Sequence, residues 1–263
     1  FMSGKDSHTI ADEVFAKLDE QNKLYKVEPH EHSYPVCWRC KSEIVFRLVP
    51  AWYIKTSELK PKLIECANSV KWEPASNGKR MNDWLTNMGD WNISRKRYYG
   101  MPLPFYPCDC GHITVIGSKD ELREKAVDPA QVDALPELHR PWVDEVKIKC
   151  PHCGKEVSRV PDIGDVWLDA GIVPFSTLDY FTDRESWEKN FPAEWVTEMH
   201  EQVRLWFYSM LFMSTVLVGK APYERVVTNG MVVAEDGSKF SKTGFMIKFD
   251  EAAEKIGADT VRY

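Results

Sequence analysis

A chain of 263 residues has room for one large domain or two modest ones, and 43% hydrophobic with 28% charged residues is the balance of an ordinary globular protein. A formal net charge of −6 offers no global attraction to nucleic acid, and no apolar run approaches the roughly 18 residues that span a bilayer. Seven cysteines, six of them in tight pairs and with no secretion signal ahead, favour metal binding in a reducing compartment over a disulfide scaffold.

In chain order, Ile10, Val14, Phe15 and Leu18 recur at helical spacing and predict an amphipathic helix in the first twenty-odd residues. A polar, proline-bounded connector follows at 29–35. Beyond the first cysteine pair, Ile44-Val45-Phe46-Arg47-Leu48-Val49 has the composition of a strand. Helices are expected from about Ser57 to Val70 and again over Met81, Trp84, Leu85 and Met88.

Between residues 105 and 160 the character changes to four cysteines, short β-like runs (112–116 and 146–149) and a small helix. The Ser118-x-x-Glu121 spacing at the start of that helix is that of a capping box, each side chain serving a backbone donor of the other. From Asp165 onward the pattern is a packed α/β unit. A long buried helix is expected from about Glu201 to Val218, closed by Gly219, then a β-rich stretch at 225–233, a turn at Glu235-Asp236-Gly237, and a last helix capped by Asp250. Position 1 is not Met, and both ends look cut from something longer.

Cys108-x-Cys110 with Cys150-x-x-Cys153 is the strongest purely physical signal. A short Cys-x(1–2)-Cys turn puts two thiolates on one side of a knuckle. Two knuckles complete a tetrahedral Zn²⁺ shell at about 2.3 Å per sulfur. Gly111 and Gly154 supply backbone freedom directly after each pair. Four sulfurs leave no open position, so the zinc would be structural; His112 and His152 are alternative ligands, and unmetallated buried thiols the bland alternative. Cys37 and Cys40 form a single knuckle with no partner pair in the chain, either half of a metal site or ordinary thiols. Cys66 reads as a core residue.

Lys239-Phe240-Ser241-Lys242-Thr243 places two lysines around a serine on a loop after a strand. Such a loop can meet nucleotide phosphates and the charge that develops as pyrophosphate leaves. Alone, it is a weak five-residue match, and a solvated lysine-rich turn is the better reading.

Its neighbours give it meaning. Asp90-Trp91-Asn92-Ile93-Ser94-Arg95-Lys96-Arg97-Tyr98-Tyr99-Gly100-Met101-Pro102-Leu103-Pro104 resembles the DWCISRQRYWGIPIP segment of class I aminoacyl-tRNA synthetases of the isoleucine, leucine and valine group. Asp165-Val166-Trp167-Leu168-Asp169-Ala170-Gly171 resembles their DVWFDSG, and 239–243 their KMSKS loop. All three stand in family order, with a cysteine-rich insertion between the first two. The run His32 to Lys41 is similar to the HSYPHCWRCK of the isoleucine branch, where the chain returns from an editing insertion and the knuckle's zinc partners lie upstream.

The resemblance implies an α/β fold, the second half of a Rossmann-like catalytic domain with a small zinc-binding insertion. It divides the chain into 1–35 (tail of the editing insertion), 36–104 (re-entry), 105–160 (zinc-binding insertion) and 161–263 (catalytic half with the lysine loop). It implies a cytoplasmic, monomeric enzyme that joins isoleucine to ATP, with Mg²⁺, and passes it to tRNA(Ile). The portion in hand lacks the HIGH signature and is expected to be inactive alone.

Lys239 and Lys242 would serve the phosphates catalytically. Gly230, Met231, Val232 and Ser241 would bind ATP, with 229–233 matching an HGFVL strand. Trp167 and Trp206 would line the isoleucine side-chain pocket, and Glu198 and Gln202 would touch the adenylate. Cys108, Cys110, Cys150 and Cys153, and separately Cys37 and Cys40, would hold zinc.

Three departures stand out in the segment matching EGxDQxRGWF: its glycines are Met199 and Leu205, and its aspartate is Glu201. Asn229 replaces the histidine of HGFVL. The alternatives are a leucine or valine enzyme, and a non-catalytic zinc-binding module on the same scaffold.

Overall fold

The computed structural model describes residues 4–6, 9–37, 39–241 and 244–262. The chain separates into two compact units, Phe1–Val49 and Pro50–Tyr263. In the first, the helix Ala11–Glu20 forms where the apolar periodicity places it, though none of its residues is buried. The expected strand at 44–49 does not form. An isolated bridge pairs Val36 with Glu43 and the ladder stops there, leaving Phe46 and Leu48 fully exposed. β-branched composition alone does not make a strand; its backbone groups need a neighbour.

The second unit is built on a three-stranded parallel sheet with Arg225–Asn229 at its centre, Val196–Met199 on one side and Lys71–Glu73 on the other. Parallel neighbours need crossover segments, and here these carry the packing helices. Helices Lys60–Asn68, Ser76–Asn87 and Trp206–Val218 share one core with the sheet, in which Leu63, Met81, Leu85, Phe207, Leu211 and Val226 are completely buried. The helix Trp206–Val218 is predominantly apolar and buries eight residues, with Val216 and Leu217 half-exposed near its end.

The long helix begins five residues later than expected. His200–Arg204 forms a 3-10 turn, the chain breaks at Leu205, and the α-helix starts at Trp206. The Gln202 side-chain oxygen accepts the Trp206 N–H at 3.2 Å, so a side chain serves the new helix end. Gly219 closes the helix with φ +71°, as expected.

Asp250 does not cap the last helix. Phe249–Ile256 starts after Lys248, and Asp250 lies in its first turn, where a carboxylate still favours the helix dipole. A second short helix, Ala258–Arg262, follows. The capping box at 118–121 forms with one shift: Ser118 accepts the Glu121 N–H at 3.1 Å, while Glu121 reaches back to the Gly117 N–H at 2.7 Å.

Residues 105–158 form two antiparallel hairpins, Phe105–Pro107 with Ile113–Val115 and Lys147–Lys149 with Glu156–Ser158. A small core of their own packs Tyr106, Leu122, Val132, Val146 and Ile148. Burial pushes the Tyr106 phenol up to about 12. A buried guanidinium fastens this region to the segments around it. Arg159 is only 1% exposed in its side chain; it pairs with Asp144 and donates to the carbonyls of Leu103 and Asp162 at 3.0 Å each. No helix among the described residues is long and apolar enough to cross a membrane.

Candidate functional site

The four sulfurs of Cys108, Cys110, Cys150 and Cys153 lie within 4.8 Å of one another, with Cys108 to Cys153 at 3.5 Å and Cys110 to Cys150 at 3.7 Å. A tetrahedron with metal–sulfur bonds of about 2.3 Å has edges of roughly 3.8 Å, so the donors stand where such a shell needs them. His112 and His152 are not in this cluster; their rings stack 6.2 Å apart.

Each knuckle is tied by its backbone. Cys150 donates to the Lys155 carbonyl and receives the Gly154 N–H, both at 2.8 Å. Cys108 donates to the His112 carbonyl at 2.8 Å and receives Gly111 at 2.9 Å. Gly111 and Gly154 adopt φ of +87° and +74°, a region that disfavours residues with a Cβ. Burial opposes ionisation of Cys150, but the N–H groups of Cys153 and His152 outweigh it and bring the thiol down to about 7.

The lone pair repeats the pattern. Cys37 donates to Ser42 at 2.7 Å and receives the Lys41 N–H at 2.8 Å, the same offsets as at Cys150. Lys41 takes the glycine's role with φ +62°. The Cys40 thiol is lowered to about 7, chiefly by the Ser42 hydroxyl 2.9 Å away. Cys66 is buried in the main core, as its helix face suggested.

Glu198, Gln202, Gly230, Met231 and Val232 fall in or directly after the two strands at one end of the sheet. Val196–Met199 and Arg225–Asn229 run parallel with Glu198 opposite Thr228 and Met199 opposite Asn229. Gly230, Met231 and Val232 therefore leave the sheet beside Glu198 and the 3-10 turn that carries Gln202. The carboxyl edge of an open parallel sheet is where such folds take ligands. Glu198 is exposed and accepts its neighbour's Met199 N–H at 3.0 Å.

Beyond Val232 the chain makes a hairpin, Val233 bridging to Lys239 around the expected turn, in which Gly237 has φ +78°. Lys239 and Ser241 are exposed. The Phe240 and Phe245 rings meet edge-on at 5.5 Å, closing the base of the lysine loop. Lys242 lies outside the described residues.

The two tryptophans meet through one turn. Trp167 belongs to the helix Val166–Gly171, and the Trp206 indole donates to the Ala170 carbonyl at 3.0 Å. Trp167 also lines a cavity of about 310 Å³ with Trp84, Trp91, Arg95 and Asp165.

Asp165 is the residue the motifs named without a role. It is 5% exposed, and its carboxylate takes the Arg95 guanidinium at 2.7 Å, the Trp91 indole N–H at 3.1 Å and the Trp167 backbone N–H at 3.2 Å. It therefore clasps the first signature segment to the second. Glu201 was also passed over as a site residue. One of its oxygens is shielded from solvent and has no hydrogen-bond partner among the described residues, while the other lies 3.3 Å from His200.

A parallel sheet packed by helices, beside an insertion whose four cysteine sulfurs are spaced for a metal, defines an α/β domain with a metal-type insertion. The profile of the class I tRNA synthetases (I, L, M and V) matches residues 5–263. The chain belongs to that family.

It is 40% identical over 268 aligned positions to an isoleucine–tRNA ligase of Methanopyrus kandleri, covering 96% of this chain and 25% of that protein. To an isoleucine–tRNA ligase of Clostridium kluyveri it is 41% identical over 254 positions, covering 95% and 24%. The chain thus spans about a quarter of these relatives' length. Among solved structures, the Mycobacterium tuberculosis methionyl-tRNA synthetase bound by methionyl-adenylate superposes with a TM-score of 0.54 at 14% identity, over 88% of this chain and 35% of that one; this likeness speaks to the fold.

Proposed function

We propose that this chain is the part of an isoleucine–tRNA ligase that carries the second half of its catalytic site and a structural zinc centre. The observation that carries this reading is the register of Val196–Met199 against Arg225–Asn229. It brings both strands to a common end, from which Gln202 and Gly230–Val232 follow directly in sequence, in a chain whose relatives are isoleucine enzymes.

In the complete enzyme, a carboxylate oxygen of isoleucine bonds to the α-phosphorus of ATP. The bond from that phosphorus to the bridging oxygen breaks, and pyrophosphate leaves with the electron pair. The acyl group then passes to tRNA(Ile). No protein nucleophile is needed; catalysis is positioning and charge stabilisation.

Lys239 and Lys242 meet the phosphates, and Ser241 with Gly230, Met231 and Val232 holds the nucleotide, which brings Mg²⁺ with it. Trp167 and Trp206 bound the side-chain pocket, and Glu198 and Gln202 hold the adenylate. The unpartnered Glu201 oxygen suits a hydroxyl donor on the ligand.

Cys108, Cys110, Cys150 and Cys153 fit Zn²⁺ by donor type and spacing and would form a closed, structural shell. Cys37 and Cys40 have the same knuckle and would share a metal with two ligands from elsewhere in the full protein. The segments we propose are 1–35, 36–104, 105–160 and 161–263, within a cytoplasmic monomer. ATP–pyrophosphate exchange by the full-length protein tests this: exchange driven by isoleucine supports it, and exchange driven by leucine or valine instead replaces it.

A further inference from the structure

The short helix Val166–Gly171, which carries Trp167, is tied down at both ends. At its C-terminal end the Trp206 indole donates to the Ala170 carbonyl at 3.0 Å. Gly171 there lies so close to the helix Trp206–Val218 that a Cβ would stand 2.8 Å from the Ser209 carbonyl oxygen. That end moves with Trp206.

The N-terminal end is tied by Asp165. Its N–H donates to the Ile93 carbonyl at 2.8 Å, which brings the chain to this point. Its carboxylate, in a side chain only 5% exposed, then sets the direction in which the helix leaves. Oδ1 accepts the Trp167 N–H at 3.2 Å, while Oδ2 accepts Arg95 Nη2 at 2.7 Å and the Trp91 indole N–H at 3.1 Å. Those donors are themselves held. Arg95 Nη1 also donates to the carbonyls of Asn92 and Ser94 at 3.0 and 2.9 Å, and the Trp91 ring meets Phe212 edge-on at 5.2 Å. Trp167 borders the cavity of about 310 Å³, so on that side no close-packed neighbour resists its movement.

We infer that Asp165 is a positioning residue for amino-acid selection: by linking Arg95 and Trp91 to the first turn of the helix, it sets the separation of Trp167 from Trp206 and hence the width of the pocket they bound. This rests on the reading of those two tryptophans as walls of the isoleucine pocket. Without the carboxylate, the turn holding Trp167 loses its anchor while the turn beside Trp206 keeps its own. Isoleucine and valine differ by one methylene, worth roughly 10–200-fold in such a pocket, so a small change in width registers in that ratio.

The test uses the full-length protein and compares kcat/KM for isoleucine with that for valine in pyrophosphate exchange. The ratio does not depend on how much of the enzyme is folded, so a purely structural role for Asp165 would leave it unmoved. Asp165→Asn keeps an oxygen for the Trp167 N–H but removes the charge that holds Arg95. It should lower the ratio roughly three- to tenfold, mainly by raising the KM for isoleucine, with the KM for ATP within about twofold of the parent.

An unchanged ratio would overturn the inference, and so would a rise in KM shared equally by isoleucine and ATP. Should Asp165→Asn fail to fold, Arg95→Met and Arg95→Lys replace it: a ratio that falls for methionine and less for lysine supports the link, and a ratio unmoved by both refutes it. A parent protein with no isoleucine-driven exchange would defeat the functional reading itself, a different result from any of these.

Discussion

Asp144 shows how a single residue can hold an insertion to its host. Its carboxylate receives Arg159, whose side chain is almost wholly buried, and the Arg140 guanidinium at 2.7 Å. Removing one partner of such a pair costs far more than the pair contributes, because the other charge is stranded. Asp144→Ala should therefore destabilise the domain by about 3–5 kcal/mol, measured by denaturant unfolding.

Burial alone would raise the Asp144 carboxyl, but its two arginines hold it below the ordinary aspartate value. Since the folded value is depressed, this stability is present above the unfolded pKa of roughly 4 and is lost as pH falls through the folded value. Asp144→Asn should flatten the acid limb of a stability-versus-pH curve, and an unchanged limb would remove Asp144 from that role.

Gly171 is a second case. A Cβ there would stand 2.8 Å from the Ser209 carbonyl oxygen and 2.9 Å from its carbon, both backbone of the buried helix. Alanine's helix propensity would favour the change by roughly 1 kcal/mol, but overpacking of about 1–3 kcal/mol opposes it. The net expectation for Gly171→Ala is a lower melting temperature. None of this was legible in the sequence: Arg159 and Asp144 are fifteen residues apart in a charged stretch, and nothing marks which of many charges is buried.

Elements built by local chemistry were the readable ones. The helices at Ala11–Glu20 and Ser76–Asn87 follow from apolar spacing, and the cysteine knuckles from sulfur spacing plus the glycines behind them. The start of the long helix was not readable. The apolar run and the preceding 3-10 turn look continuous in sequence, and the break depends on Gln202 turning to serve the Trp206 N–H. The strand expected at 44–49 failed for the opposite reason, since its propensity was local and its partner was not.

The knuckles give the sharpest prediction at this scale. The protein as isolated should carry zinc in its four-cysteine site, released by a strong chelator or by Cys150→Ser, with loss of the 105–158 hairpins followed by hydrogen exchange. Cys37→Ser should leave that zinc in place. A metal content unaffected by Cys150→Ser would refute the assignment.

For the whole molecule, the candidate site draws on segments far apart in the sequence. The signature segments at 90–104 and 165–171 were legible as motifs, and the structure adds that Asp165 joins them through Arg95 and Trp91. The sequence also pointed to Glu198, Gln202 and Gly230–Val232, the proposed ligand edge, because their motifs are short and ordered. It could not reveal that Met199 and Asn229 face each other, which is a matter of register. The 263-residue chain by itself is expected to give no isoleucine-dependent pyrophosphate exchange, with the full-length protein as the positive control; turnover by the short chain would overturn that expectation.

The sheet has two unlike margins. Lys71–Glu73 ends it with alternating charges and a following proline, Pro74, features that discourage further pairing. Val196–Met199 ends it with Val-Thr-Glu-Met and pairs on one side alone among the described residues. In solution, that margin is a template looking for a strand. The isolated chain should self-associate with rising concentration, detectable by sedimentation. A lysine at Thr197, exposed in the middle of that strand, should keep it dispersed.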